Sequence, residues 1–428
     1  MRTYDTYKDS GISWLGQIPS HWDVKRAKVL FNKENRPVLP NDEVVTCFRD
    51  GQVTLRKNRR TEGFTESLKE IGYQGVRKGD LVIHQMDAFA GATGVSDSNG
   101  KGTPVYHVCT PKTDYVNNYY YAHIVRRMGL NGYIQSLYRG IRERSSDFRF
   151  DVFGRQFLPV PPLAEQEAIV AYLDSATAEI DKAIASQQRM VELLQERKQI
   201  IINQAVTRGL NPDAPMKPTN IDWLPKIPAL WQLIRMKYLL KSPLQYGANE
   251  SPESTDTNLP RYIRITDIKE NGELNDDSFV SLSWEKAKDY LLQKGDILFA
   301  RSGATVGKTY LFEEQYASCF AGYLIKARCN DGLLPEFLHL FTKSGVYDKW
   351  KESIFIKSTI QNIGADKYSN LPIPYPPYDE QKVIVEYIES TISPVNSAIS
   401  RCERIIALLT ERKQILINDV VTGKIKVV

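Results

Sequence analysis

The run from Glu165-Gln166 to Val206-Thr207 is written again, without a gap, from Glu380-Gln381 to Val421-Thr422, with about half of the paired positions identical. At its heart, Glu196-Arg197-Lys198-Gln199-Ile200 answers Glu411-Arg412-Lys413-Gln414-Ile415. Stepping alternately by four and three gives Ile180, Ile184, Gln187, Val191, Leu194, Lys198, Ile201 and Ala205 in one copy, and Val395, Ile399, Cys402, Ile406, Leu409, Lys413, Leu416 and Val420 in the other. That spacing is the seam of a coiled coil. Pro394, preceded by Ser393, suits a helix start, because inside a helix its ring removes a hydrogen bond and clashes. Each copy is therefore expected to hold a short helix (about Glu165 to Asp174 and Glu380 to Glu389) and a long one (about Ala178 to Val206 and Pro394 to Val421). Neither seam can stay wet, so the long helices are expected to pair, antiparallel if a twofold relates the copies. Gln187, Lys198 and Lys413 have two readings, as side chains snorkelling at a seam edge or as residues that set register.

The duplication reaches further. Ile12-Ser13-Trp14-Leu15-Gly16-Gln17-Ile18-Pro19-Ser20-His21-Trp22 returns as Ile221-Asp222-Trp223-Leu224-Pro225-Lys226-Ile227-Pro228-Ala229-Leu230-Trp231. Lys78-Gly79-Asp80 returns as Lys294-Gly295-Asp296, and Leu158-Pro159-Val160-Pro161 as Leu371-Pro372-Ile373-Pro374. The period is too long for a solenoid, so whole domain pairs related by a pseudo-twofold are expected. Between these islands the halves differ, as two reading heads on one frame would. Strands are expected at Asp80 to His84, Val105 to Cys109, Asp296 to Ala300 and Tyr323 to Ala327. Helices are expected near Asn118 to Arg127 and Glu336 to Lys343. The plan is an α/β head over 1–160, a helical region over 161–208, a proline-marked linker over 209–217, a second α/β head over 218–376 and a second helical region over 377–428.

With 428 residues, 42% hydrophobic and 25% charged, the chain has the composition of a soluble protein with more than one core. No stretch has the length and apolarity of a membrane span, and Met1 to Lys8 is too polar for a signal peptide. The five cysteines lie far apart and read as reduced thiols of a cytoplasmic protein. A net charge of +5 permits a nucleic-acid partner without requiring one.

Two motifs imitate catalysis. Ser302-Gly303-Ala304-Thr305-Val306-Gly307-Lys308-Thr309 nearly spells a phosphate-binding P-loop, but Ser302 stands where the first glycine belongs. Tyr375-Pro376-Pro377-Tyr378 resembles the motif of amino-methyltransferases, but Tyr375 cannot hold the target amine as Asn, Asp or Ser would. No two of the five histidines have metal-ligand spacing. No catalytic residue, cofactor or metal is therefore assigned.

Binding chemistry remains. Arg126, Arg127, Arg139, Arg142, Arg144, Arg149 and Arg155 are interleaved with Tyr133, Tyr138, Phe148 and Phe150, while Arg49, Arg56, Lys57, Arg59 and Arg60 form a second cluster. Arginine forks grip phosphate and read guanine edges. A solvated, salt-bridged face is the alternative. In the second half the comparable loops are Tyr246-Gly247-Ala248-Asn249-Glu250, Arg301-Ser302-Gly303 and Lys357-Ser358-Thr359-Ile360-Gln361-Asn362. Their glycines let backbone approach a ligand and their amides suit adenine edges.

Taken in order, these motifs resemble the DNA specificity subunit of type I restriction-modification systems. The resemblance rests on the doubled Trp-Leu-x-x-Ile-Pro-x-x-Trp opening, on Pro260-Arg261-Tyr262-Ile263-Arg264-Ile265-Thr266-Asp267-Ile268, on Arg301 to Lys308, on Ser358-Thr359-Ile360-Gln361-Asn362-Ile363, and on Pro161-Pro162-Leu163-Ala164-Glu165-Gln166 leading into the helix. It implies two target recognition domains, each reading half of a bipartite double-stranded DNA site. It also implies that the helices set the spacer and dock two methyltransferase subunits, with motor and nuclease subunits joining. Arg264 and Lys308 enter the candidate DNA-binding set through these motifs. The rival reading is a stand-alone methyltransferase or nuclease with fused recognition domains.

Overall fold

The computed structural model describes residues 2–59, 71–137, 147–269, 272–303, 305–314, 316–355 and 362–427. The chain packs as two units, Met1–Gln187 with Arg404–Val428, and Gln188–Glu403.

In the first unit, β-branched and aromatic runs form an antiparallel sheet of β1 (Phe31–Lys33), β2 (Leu81–His84), β3 (Thr93–Val95) and β4 (Tyr106–Pro111), in the order β1-β4-β2-β3. Leu81, Val82 and Ile83 are all fully buried, because one sheet face meets helix α1 (Asn118–Leu130) and the other covers a smaller cluster around Val45, Val53 and Val108. Asn117 caps α1 by accepting from the Tyr119 and Tyr120 amides. The Lys-Gly-Asp motif explains itself here: Gly79 turns the chain at φ +93°, and buried Asp80 accepts from Arg77 N and binds Arg36 at 2.5 Å.

The second unit repeats the sheet in the same order, β5-β8-β6-β7, from β5 (Gln245–Tyr246), β6 (Ile297–Ala300), β7 (Thr309–Leu311) and β8 (Leu324–Ala327). Gly295 turns at φ +90° and buried Asp296 binds Arg328 at 2.7 Å. A parallel pair, Arg261–Ile263 with Ser318–Phe320, was not foreseen. Arg261 and Ser318 are separated by the whole of β6 and β7, so no local turn announces the pairing.

The expected break in the helical regions is absent. Helix α2 runs unbroken over Leu163–Arg208, α3 spans Pro335–Phe341, and α4 runs over Tyr378–Val421 with Pro394 inside it. Pro394 and Ser390 are both exposed, so water can take the bond that the proline denies to the Ser390 carbonyl. Ile388 and Val395, buried on either side, offset a cost of about 3 kcal/mol. Seam positions are half-buried or buried throughout both helices, while most intervening positions are exposed. Two of the three polar seam residues bond across the helix pair. Lys413 Nζ donates to both carboxylate oxygens of Asp181 at 2.7 Å in the first unit, and Lys198 Nζ to Asn396 Oδ1 at 2.8 Å in the second. Asp181 and Asn396 are themselves repeat mates. The fold is thus two mixed α/β domains joined by two long antiparallel helices.

The repeat also ties head to helix. Gln166, fully buried, donates to the Pro161 and Tyr115 carbonyls and accepts from Asn117 N. Gln381 does the same with Pro376, Gly332 and Leu334 N.

Acid should loosen the first unit through His107. This ring is buried and its Nε2–H donates to the Phe148 carbonyl at 3.1 Å. Burial, with Lys33 adding to it, pushes its pKa down from 6.5 to about 4. Between those values the unfolded chain holds a proton that the folded unit refuses, so stability falls as pH drops from 6.5 towards 4, by about 3 kcal/mol. In His107→Gln, urea unfolding should show a pH slope smaller by about one proton over that window. An unchanged slope would assign the acid lability elsewhere.

Candidate functional site

In the second unit the chain leaves β6 and runs through Arg301-Ser302-Gly303, with Gly303 and Gly307 at φ +79° and +82° turning it back into β7. Arg301 N donates to the Tyr323 carbonyl at 3.0 Å, Ile363 N donates to the Arg301 carbonyl at 2.8 Å, and Ser302 pairs with Asn362 in an antiparallel bridge. Tyr246, at the end of edge strand β5, lies under the Arg301 guanidinium at 4.9 Å and accepts from Ala365 N at 2.9 Å. Arg301 Nε is buried without a hydrogen-bond partner. The result is one tip that gathers Tyr246, Arg301, Ser302 and Asn362, with Tyr246 41% and Tyr323 62% exposed. Tyr323 was missed by motif reasoning. Its signal is a large aromatic at the start of a strand whose neighbours are all buried.

Chemically, this tip offers a guanidinium fork, a hydroxyl, an amide and two aromatic faces, held by main-chain bonds. A fork and an amide match the paired acceptors of guanine and the donor-acceptor edge of adenine. Asn249, exposed, borders the tip near Gly322. Gly247 is needed for a different reason from ligand approach: a side chain there would strike the Phe320 and Ala321 carbonyls at 2.3 Å.

Other expected residues lie apart from the tip. Arg264 forks onto both oxygens of Asp267 and reaches the Ser278 carbonyl, while Lys308 Nζ donates to the Ile268 carbonyl at 3.1 Å. Lys357, Ser358 and Gln361 lie outside the described residues, as do Arg60, Arg139, Arg142 and Arg144.

In the first unit, Arg56 and Lys57 sit in a single helical turn, Arg56–Asn58. Lys57 pairs with Glu43 at 2.5 Å, Arg59 with Asp50 at 2.6 Å over the Phe48 ring, and Arg149 with Asp147 at 2.9 Å. These are solvated pairs of little net strength, so an incoming phosphate could displace the acids at little cost. The counterpart of the second tip is built from residues no motif marked. Gln85 N donates to the Val105 carbonyl at 2.8 Å, and Phe148 N to the Gln85 carbonyl at 3.1 Å, as Arg301 does with Tyr323 and Ile363. Gln85 Nε2 donates to Asp147 Oδ1 at 2.5 Å. One scaffold therefore presents Arg301 and Asn362 in one head, and Gln85 and Asp147 in the other. Counting on from Lys-Gly-Asp in each half would have found Gln85.

Tyr375, the near-miss of the methyltransferase motif, donates its hydroxyl to the Gly332 carbonyl at 2.8 Å and serves the fold. Among the described residues, no group of three His, Cys, Asp or Glu is placed to hold a metal, and no helix is long and apolar enough to cross a membrane.

Residues 243–406 match the model of the type I restriction modification DNA specificity domain. The chain is 24% identical over 278 residues to the type I restriction enzyme EcoBI specificity subunit of Escherichia coli, spanning 63% of this chain and 58% of that one. It is 25% identical over 258 residues to the EcoKI specificity subunit of Escherichia coli strain K12, spanning 57% and 54%. The matched part is thus less than two thirds of either relative's length. A chain solved in work on complex assembly and conformational transition of the type I R-M system superimposes over 95% of this chain and 99% of that one, with a TM-score of 0.69 at 16% identity. At that identity the likeness speaks for the fold alone.

Proposed function

We propose, from the match of residues 243–406 to the type I restriction modification DNA specificity domain and the similarity to two specificity subunits, that the chain is the non-catalytic DNA-reading subunit of a restriction and methylation complex. Each head reads one half of a bipartite site. The observation that carries this is the shared tip scaffold with different side chains, Arg301 and Asn362 against Gln85 and Asp147. Two heads with one architecture and two chemistries suit a site whose halves differ.

Partner docking is supported by exposed apolar residues on the long helices outside the seam. Met190, Leu193 and Ile200 on α2 are 43–49% exposed, and their repeat mates Ile405, Leu408 and Ile415 on α4 are 40–55% exposed. A repeated surface takes two copies of one partner, as two methyltransferase subunits would require. The motor and nuclease subunits would join that assembly.

Methylation-site sequencing of cells carrying this chain with its methyltransferase tests the reading: a two-part motif with an unread spacer is expected, and a continuous motif would refute it. The helices as spacer are tested by inserting four residues into each, after Gln187 and after Glu403. Four residues add about 6 Å at 1.5 Å each, or one to two base pairs at about 3.4 Å per step. The spacer should lengthen by that amount and both half-sites should stay the same. An unchanged spacer in a fully active variant would mean that the helices do not set it.

A further inference from the structure

We propose that each unit also holds a phosphate-binding socket where its long-helix segment meets its head, separate from the reading tip. In the first unit it is centred on Arg126, Arg127 and Lys413, and in the second on Lys343 and Lys198.

The first socket is a cleft of about 790 Å³ between α1, the edge of β3 and the last turns of α4, with Thr93, His123, Arg126, Arg127, Lys413 and Asn418 on its walls. Three wall atoms are buried without a hydrogen-bond partner: Thr93 Oγ1, Arg127 Nε and Asn418 Oδ1. Thr93 Oγ1 and Arg127 Nε are donors, and two unmade donors on one cleft mark a place that an oxyanion completes. Nearby acids are engaged: Asp50 by Arg59, Asp181 by Lys413 and Asp419 by Lys424. His123 is held neutral by burial, with Arg126 and Lys413 adding to it, and Lys413 shares its charge with Asp181, so the cleft's positive charge comes chiefly from Arg126 and Arg127.

The second unit repeats the helix cation and one of the head cations. Lys198 is the mate of Lys413. Lys343 is the mate of Arg126, counted from the paired amides of Asn117 and Leu334 that Gln166 and Gln381 hold. Arg126 Nη1 donates to the Gly91 carbonyl at 2.7 Å and Lys343 Nζ to the Thr309 carbonyl at 3.0 Å, beside corresponding strands. Burial, with Lys308, Lys198 and Lys351 adding to it, pushes Lys343 down to about 8. Of these neighbours Lys351 has an acid partner, Asp348, while the Lys198 and Lys308 ammoniums rest on neutral oxygens. Lys343, Lys198 and Lys308, each resting on a neutral oxygen, carry positive charge that a polyanion relieves. The same conjunction of helix cation and head cation in both halves argues against accident.

The ligand chemistry is a phosphate oxyanion, supplied either by a DNA backbone, which rests on the function proposed above, or by a free nucleotide, which does not. The test compares the full chain with an Arg127→Gln/Lys343→Gln variant of unchanged melting temperature. Binding to a mixed-sequence duplex is followed against salt, and ATP and inorganic phosphate are titrated calorimetrically. A slope of log K against log salt that is shallower by about two units, with sequence preference intact, establishes the backbone as source. An unchanged slope with ATP or phosphate binding that the variant loses establishes the free nucleotide. An unchanged slope with no such binding overturns the sockets. Should the parent chain bind no duplex at any salt, the DNA reading fails while the nucleotide arm still decides the sockets. Where Lys343→Gln does not fold, Lys308→Gln replaces it in the same comparison.

Discussion

Trp22→Ala is expected to lower the stability of the first unit by about 3–5 kcal/mol and leave the second unit's unfolding transition in place. The indole is fully buried and its Nε1–H donates to Glu165 Oε2 at 3.0 Å. That carboxylate, itself almost fully buried, also takes bonds from the Tyr4 hydroxyl and from His21 Nε2 at 2.9 Å. Truncation therefore opens a large cavity and strips a buried carboxylate of a donor, two losses that add. Trp22→Phe, which keeps most of the volume but not the N–H, should lose only about 1–2 kcal/mol. Urea unfolding followed by circular dichroism separates the two variants. A loss under about 1 kcal/mol for Trp22→Ala would mean that the entrance strand can collapse onto the helix and that the Trp-Leu-x-x-Ile-Pro-x-x-Trp island has another purpose.

Arg301→Ala is expected to weaken discrimination at one base of the second head's half-site by about 1–3 kcal/mol, roughly 5–150-fold. The first head's half-site should be untouched. The main chain at residue 301 keeps its bonds to Tyr323 and Ile363, so the tip should persist without the guanidinium. Competition binding against half-site variants reads the effect, and methylation-site sequencing shows whether the motif has become degenerate at a single position. A uniform loss across sequences, with a salt slope shallower by about one unit, would make Arg301 a phosphate contact and leave the reading to Ser302 and Asn362. No change in affinity, slope or motif would remove this tip from the DNA surface. Gln85→Ala is the matching change in the other head.

The difference between what the sequence disclosed and what it concealed has physical roots. Seam, strands and head helices were legible because each is a local period: the strand expected at Asp296 to Ala300 is β6 at Ile297–Ala300, and the helix expected near Asn118 to Arg127 is α1. Helix continuity through Pro394 was hidden, since a proline's local cost is visible in sequence while the burial of Ile388 and Val395 that offsets it is tertiary. Arg264 illustrates the limit for site residues. An arginine in a motif looks available, and only the fold shows its fork already filled by Asp267 and Ser278. Conversely, Tyr323 carries no motif and becomes notable only when a main-chain bond sets it beside Arg301.

The division of the chain into units has a consequence for the order of events during synthesis. Leu416, Val420 and Val421 are core members of the first unit, and Tyr120 donates its hydroxyl to the Val421 carbonyl at 2.9 Å. The head made first is therefore finished last. After Gln187 emerges, the ribosome must deliver the whole of Gln188–Glu403 before Arg404 and its successors arrive, an interval of roughly 10–40 seconds at typical rates. Throughout it the first head lacks one wall of its core, while the second unit is contiguous in sequence and can close as soon as it is complete. Nascent chains stalled within that interval should bind holdase chaperones through the first head, and release should coincide with the appearance of residues 416–421.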